Sequence, residues 1–248
     1  MPTRRQMIAS TLALSLAGRA IAAEAPAAET VDSPADPATY LASLVDLMNI
    51  KWPKNRTINI VCHGHSVPAG YAKTPLVDTF NAYPHLLHRG LKERFPFAVI
   101  NVIVTAIGGE AAGSGEKRFG RDVLTHKPDL VTIDYALNDR GLGLEKAKAA
   151  WTSMIHQAAG AKVILLTPTA DQGAKLDDPA DPLNQHAEQI RRLAAEHGVG
   201  LADSLAAFKR RLATGDALPD LMAQSNHPNR KGHDLVVAEL LKWFPAKA

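Results

Sequence analysis

The chain has one cysteine, Cys62, among 248 residues, so no intramolecular disulfide can staple it. Aromatic residues make up only 5% of it, which offers no evident stacking platform for a long glycan. It has no surplus charge once its start is set aside. The net charge of +3 equals the contribution of Arg4, Arg5 and Arg19, and residues 1–22 contain no acid. The remainder is neutral overall and carries no basic footprint for nucleic acid. The apolar run 9–18 falls short of the ~20 residues that a membrane-spanning helix needs. No Gly-x-Gly-x-x-Gly follows the first strand-like run, so the dinucleotide-binding fingerprint is missing. His63 and His65 form a His-x-His pair, but no third ligand stands at a metal-binding spacing, and no metal is expected. There is no internal repeat and no second core.

What remains is ordinary. With 46% hydrophobic and 21% charged residues, the chain can bury one sizeable core. Residues 1–22 combine paired arginines, a short apolar run and small residues at Ala20-Ile21-Ala22. That is the pattern of an export signal of the twin-arginine type. A periplasmic or secreted protein with no stable membrane anchor is expected. Residues 23–37, rich in Ala, Pro, Glu and Asp, are expected to form a flexible tether. The folded domain is expected over 38–248.

Tyr40, Leu41, Leu44, Val45 and Met48 recur at helical spacing and predict a short helix on the domain edge. The chain then alternates. Apolar, β-branched runs predict strands near 57–62, 98–105, 130–135, 162–167 and 199–202. Amphipathic patterns predict helices near 77–94, 115–125, 144–159, 183–197 and 231–243. Alternation of this kind builds a parallel sheet covered by helices on both faces. Cys62, inside the first strand, reads as a small buried hydrophobe.

Four stretches carry chemistry. The first strand ends in Gly64-His65-Ser66, where a sharp turn exposes a serine at the edge on which α/β sheets bind ligands. The second ends in Gly108-Gly109-Glu110, whose backbone N–H groups can hold a developing oxyanion. The third is followed by Asn138, whose amide can donate to an oxyanion without titrating. His227, stiffened by Pro228 ahead of the last helix, can serve a serine as general base.

Taken together, these blocks resemble the SGNH hydrolase superfamily, the GDSL-type esterases and lipases, over roughly residues 56–243. The four residues of that name match Ser66, Gly109, Asn138 and His227. The resemblance implies a flavodoxin-like, three-layer α/β/α fold with a five-stranded parallel sheet. It implies ester hydrolysis without a metal or organic cofactor. In it Ser66 is the nucleophile and His227 the base. Ser66, Gly109 and Asn138 form the oxyanion hole.

The chain departs from the pattern in four places. His65 stands where the family usually has Asp, Ala136 replaces a common Gly, and Val104 replaces a common Asn. Gln224 stands three residues before His227, where the family has the Asp that orients the histidine. Three readings stay open. Gln224 or a backbone carbonyl orients His227 in a Ser–His dyad; another acid, Asp134, Asp139, Asp203 or Glu110, substitutes; or catalysis is lost and only binding remains. Asp203 also reads as a helix cap, and Asp134 as a buried acid paired with Arg140. His65 is expected to be an immediate neighbour of Ser66. The segment 170–182 is polar and could border a substrate cleft. A short acyl ester, acetyl first, of a saccharide or other small molecule is the expected substrate, with a lysophospholipase or thioesterase acting on longer acyl chains, or a catalytically weak glycan-binding domain, as the alternatives. Nothing in the sequence sets the oligomeric state.

Overall fold

Strand β1 (Thr57–Gly64) pairs on one side with β2 (Val99–Val104) and on the other with β3 (Leu130–Asp134). Beyond β3 lie β4 (Lys162–Leu166) and β5 (Gly200–Ala202), and every pairing is parallel. The order β2-β1-β3-β4-β5 is that of flavodoxin-like folds. The chain moves outward from β1 to β2, then reverses to β3, so the switch point lies between β1 and β3. The computed structural model describes residues 33–245, so the expected export signal and most of the expected tether lie outside it. Ala35, near the end of that tether, already donates its N–H to the Val199 carbonyl at 3.2 Å.

Pleating sorts the strand side chains between two helix layers. Ile58, Ile60 and Cys62 of β1 join one apolar cluster and Val61 joins the other. The first layer holds α1 (Ala42–Met48), α3 (Tyr83–Arg94), α7 (Ser204–Ala213) and α8 (Arg230–Leu241). The second holds α4 (Ala112–Asp122) and α5 (Leu144–Gln157), with Ile190, Leu193 and Ala194 of α6 (Pro182–Glu196). A one-turn helix, α2 (Ser66–Ala69), follows β1 directly. Strands β6 (Met222–Gln224) and β7 (His227–Pro228) form a small antiparallel pair before α8.

The sheet and its covering helices match the sequence expectation. Three local differences have physical reasons. The helix expected near 77–94 begins only at Tyr83, because Val77 bridges back to Tyr71 and Ala82 is extended. Helix α4 begins before residue 115, because the Asp139 carboxylate accepts the Ala112 N–H at 2.8 Å. Helix α7 and the β6–β7 pair are additional elements. Asp203 caps α7 by accepting the Ala206 N–H, and it also accepts from Thr167 and Arg191. Cys62 is fully buried, and burial pushes its thiol up to about 12, so it is an inert packing group.

Strands β1 and β3 meet closely at Gly64. A Cβ on Gly64 would lie 2.4 Å from the Asp134 carbonyl oxygen and 2.8 Å from Pro68 Cγ. Only glycine fits there. Gly64→Ala should therefore cost at least the ~1–3 kcal/mol of a typical overpacked site. The control is Gly120→Ala in the exposed face of α4, where an added Cβ meets nothing within 4 Å. That change should stabilise by up to ~1 kcal/mol. Thermal unfolding of the two variants checks both, and a Gly64→Ala protein as stable as its parent would refute the close-packing argument.

Candidate active site

Ser66 is the first residue of α2, immediately after β1. His65 caps that turn by accepting the Val67 N–H on Nδ1 at 3.2 Å, and Gly70 closes it in the left-handed conformation. His227 arrives from the far end of the chain on β7. Asn229 holds it there by capping α8, accepting N–H groups of Lys231 and Gly232, and by donating its own N–H to the Leu221 carbonyl. His227 Nε2 lies 3.0 Å from Ser66 Oγ, and both residues are buried.

The other ring nitrogen, Nδ1, lies 2.9 Å from the Ala72 carbonyl oxygen. A carbonyl only accepts, so Nδ1 carries the proton and Nε2 offers its lone pair to the serine. Burial holds the imidazole below the ordinary histidine value. The Ala72 carbonyl opposes that shift and nearby His65 adds to it.

None of the five side chains considered as orienters reaches His227. Gln224 Oε1 accepts the Thr74 N–H at 2.9 Å and so pins the loop that presents Ala72. Asp139 accepts from Ala112 N–H and from Trp151 Nε1, and burial raises its carboxyl to about 6. Asp203 caps α7. The Glu110 carboxylate pairs with Arg118 at 2.9 and 3.0 Å and accepts the Tyr135 hydroxyl at 3.0 Å. Asp134 faces His65 at 3.3 Å, and not Arg140, whose partner is Asp171 at 2.7 Å. The group that meets His227 Nδ1 is a backbone carbonyl. A peptide carbonyl leaves no trace in sequence, so Ala72 could not have been read from it.

Asn138 lies half-buried after β3. Its Nδ2 donates to the Glu110 carbonyl at 2.9 Å, which leaves its second amide proton free to meet a ligand oxygen. Behind this contact is a buried network. Arg118 donates to the Thr105 carbonyl and to Tyr135, and Tyr135 meets His63 at 3.1 Å. His63 also bonds Thr105 and Gly115, and burial and Arg118 lower it to about 4. It is therefore a neutral spacer. Gly109, with φ of 77°, is exposed on the neighbouring turn. Tyr71 lies between the two loops. Its ring is 6.0 Å from the His227 ring and packs against Gly108. A depression of about 520 Å³, lined by Asn138, Arg140, Gly173 and Asp181 among others, opens beside Asn138. A second one, of about 540 Å³ between α5 and α6, includes none of these residues.

Residues 62–235 match the model of the GDSL-like lipase/acylhydrolase family. The chain belongs to that family. It is thereby a carboxylic ester hydrolase of the serine type, within the SGNH superfamily. An acetylxylan esterase of Geobacillus stearothermophilus is 25% identical over 167 residues, which are 61% of this chain and 75% of that protein. The crystal structure of Axe2, an acetylxylan esterase from the same organism, superposes with a TM-score of 0.67 at 21% identity. That match covers 77% of this chain and 95% of Axe2. A two-domain esterase active on acetylated mannans superposes at 0.65 with 19% identity, covering 83% of this chain and 52% of that one. Catalytic mutants of Axe2 alter a serine, an aspartate and a histidine three positions after the aspartate. Among the described residues of this GDSL-family chain, no helix is long and apolar enough to cross a membrane.

In this GDSL-family site the Gln224 side chain meets the loop that presents Ala72 and not the imidazole, while its backbone pairs with His227 in β6–β7. Gln224→Ala should lower ester hydrolysis by no more than about tenfold, equivalent to ~1.4 kcal/mol in the barrier. Removing a charge partner of the histidine itself would cost nearer ~10⁴. A loss of that size in kcat would show that Gln224 bears on the imidazole directly.

Proposed function

We propose that this chain is an exported O-acetylesterase that removes short acyl groups from carbohydrate. The observation that carries the reading is the 3.0 Å contact of Ser66 Oγ with His227 Nε2 at the carboxyl end of β1. In the proposed reaction His227 takes the Ser66 proton, and Ser66 Oγ attacks the ester carbonyl. The N–H groups of Ser66 and Gly109 and the amide of Asn138 hold the tetrahedral oxyanion. His227 then protonates the leaving alcohol, and water releases the acyl group by the same route. The serine and histidine altered in the Axe2 catalytic mutants support these roles. Gln224 stands three positions before His227, the spacing of the altered Axe2 aspartate.

A polar alcohol is supported by the depression beside Asn138, where Arg140 and Asp171 form an ion pair within reach of solvent. The similar enzymes named for acetylated xylan and mannan point to the same class of alcohol. The basic, apolar start of the chain supports export. A longer acyl chain is the second reading. It is favoured by the exposed Leu76, Val77 and Ile107 on the two loops that carry Ala72 and Gly109.

Hydrolysis of p-nitrophenyl esters by the full chain tests both. Turnover should be highest with acetate and fall along the series to octanoate, and acetylated xylo-oligosaccharides should be deacetylated. A rise toward octanoate would favour the second reading. Ser66→Ala should be inactive, and Asn138→Ala should retain ~10⁻² to 10⁻³ of the rate. The base must be neutral to accept a proton, and burial keeps His227 neutral below the usual histidine range. The acidic limb of kcat/KM should therefore have its midpoint below ~6.5. A midpoint above that value would show that burial does not hold His227 below its ordinary range.

A further inference from the structure

The serine has a second imidazole beside it. His65 Nδ1 lies 3.4 Å from Ser66 Oγ. Because Nδ1 accepts the Val67 N–H, the neutral ring carries its proton on Nε2. That Nε2 has no aligned hydrogen-bond partner among the described residues and faces Asp134 Oδ1 at 3.3 Å. His65 and Asp134 are both almost fully buried, at 1% and 2% exposure. An acid buried at the end of a central strand is costly unless something uses or compensates its charge. Cys62, Tyr83 and Asp139 crowd round it, and none of them is a cation. His65 is the group that can become one. The two histidines are thus provided for differently. His227 rests on a neutral carbonyl, whereas His65 rests on a carboxyl.

We propose that His65 is a second general base for Ser66, with Asp134 as its counter-charge. The inference rests on the reading of Ser66 as nucleophile. The Ser66 hydroxyl proton passes to His65 Nδ1 as Ser66 Oγ bonds to the acyl carbon. The acyl carbon–oxygen bond breaks and the leaving group departs with the electron pair. The Val67 N–H already shares the Nδ1 lone pair, and the serine is 0.4 Å nearer to His227, so this route is the slower one. His65 is also sealed from the cleft and cannot protonate a departing alcohol. The route therefore serves leaving groups that depart as anions. It ends at the acyl-enzyme, because the water that releases the acyl group needs His227.

These limits give the test. With p-nitrophenyl acetate, the full-length His227→Ala variant should release about one p-nitrophenolate per protein and then stall, with acetyl found on Ser66 by mass spectrometry. His227→Ala/His65→Asn should slow that burst at least tenfold. Asn keeps an oxygen for the Val67 cap, and circular dichroism with thermal unfolding confirms that each variant is folded. Asp134→Asn should slow the burst in the His227→Ala background by a larger factor than it slows steady turnover with His227 present. A purely structural role would slow both alike. A single variant with no burst, or a burst unchanged by His65→Asn, overturns the proposal. If the burst survives Ser66→Ala in the His227→Ala background, the nucleophile assignment itself falls.

Discussion

The carboxyl ends of β1 and β3 approach so closely that only glycine fits between them, and the site depends on that approach. With Gly64 against the Asp134 carbonyl, the His65 N–H bonds the same oxygen at 3.2 Å. This one contact fixes where β1 stops, where the α2 turn begins and which way its first residue points. It also brings the loop after β3, with Asn138, beside the loop after β1, at the switch point of the sheet. Two loops that diverge in sequence by some seventy residues become neighbours because a parallel pair delivers both ends to the same edge.

Around that fixed point the site is unevenly charged. The base proposed for Ser66 is held in its tautomer by a peptide carbonyl, which orients a ring but brings no counter-charge. Desolvation then weakens the base further. Nearby, the buried carboxylates are committed elsewhere: Asp139 to the start of α4 and to Trp151, Glu110 to Arg118 and Tyr135. The loop 71–78 supplies the carbonyl that meets His227 Nδ1. It is tied by Gln224 at one point and by the Tyr71–Val77 bridge at another. The Gln at 224 thus keeps a structural link to the histidine, routed through a backbone. Asn138 is held in a similar indirect way, by a carbonyl whose own residue is anchored through a buried arginine.

Much of this was legible in the sequence. The strands announce themselves by short apolar, largely β-branched runs, and the helices by their periodic apolar faces. Both are local signals that burial enforces. The four blocks at strand ends could be recognised because each is a short pattern of distinctive residue types. The partner of Asp134 could not be read. Arg140 is six residues away and of opposite charge, yet it turns to Asp171, while the neutral-looking His65 takes the place beside the acid. Sequence proximity says nothing about direction once a chain leaves a strand.

By itself the sequence determined the layered α/β/α architecture, the family, and which four residue positions stand at the ligand edge. Periodicity and turn chemistry act over a few residues and leave their marks there. Only the tertiary structure decided what each of those residues touches. The orientation of His227 by Ala72, the commitment of Gln224 to Thr74 and the facing of His65 by Asp134 are contacts between segments far apart in the chain. Two of them run through backbone atoms that every residue possesses, so no choice of side chain could have encoded them visibly.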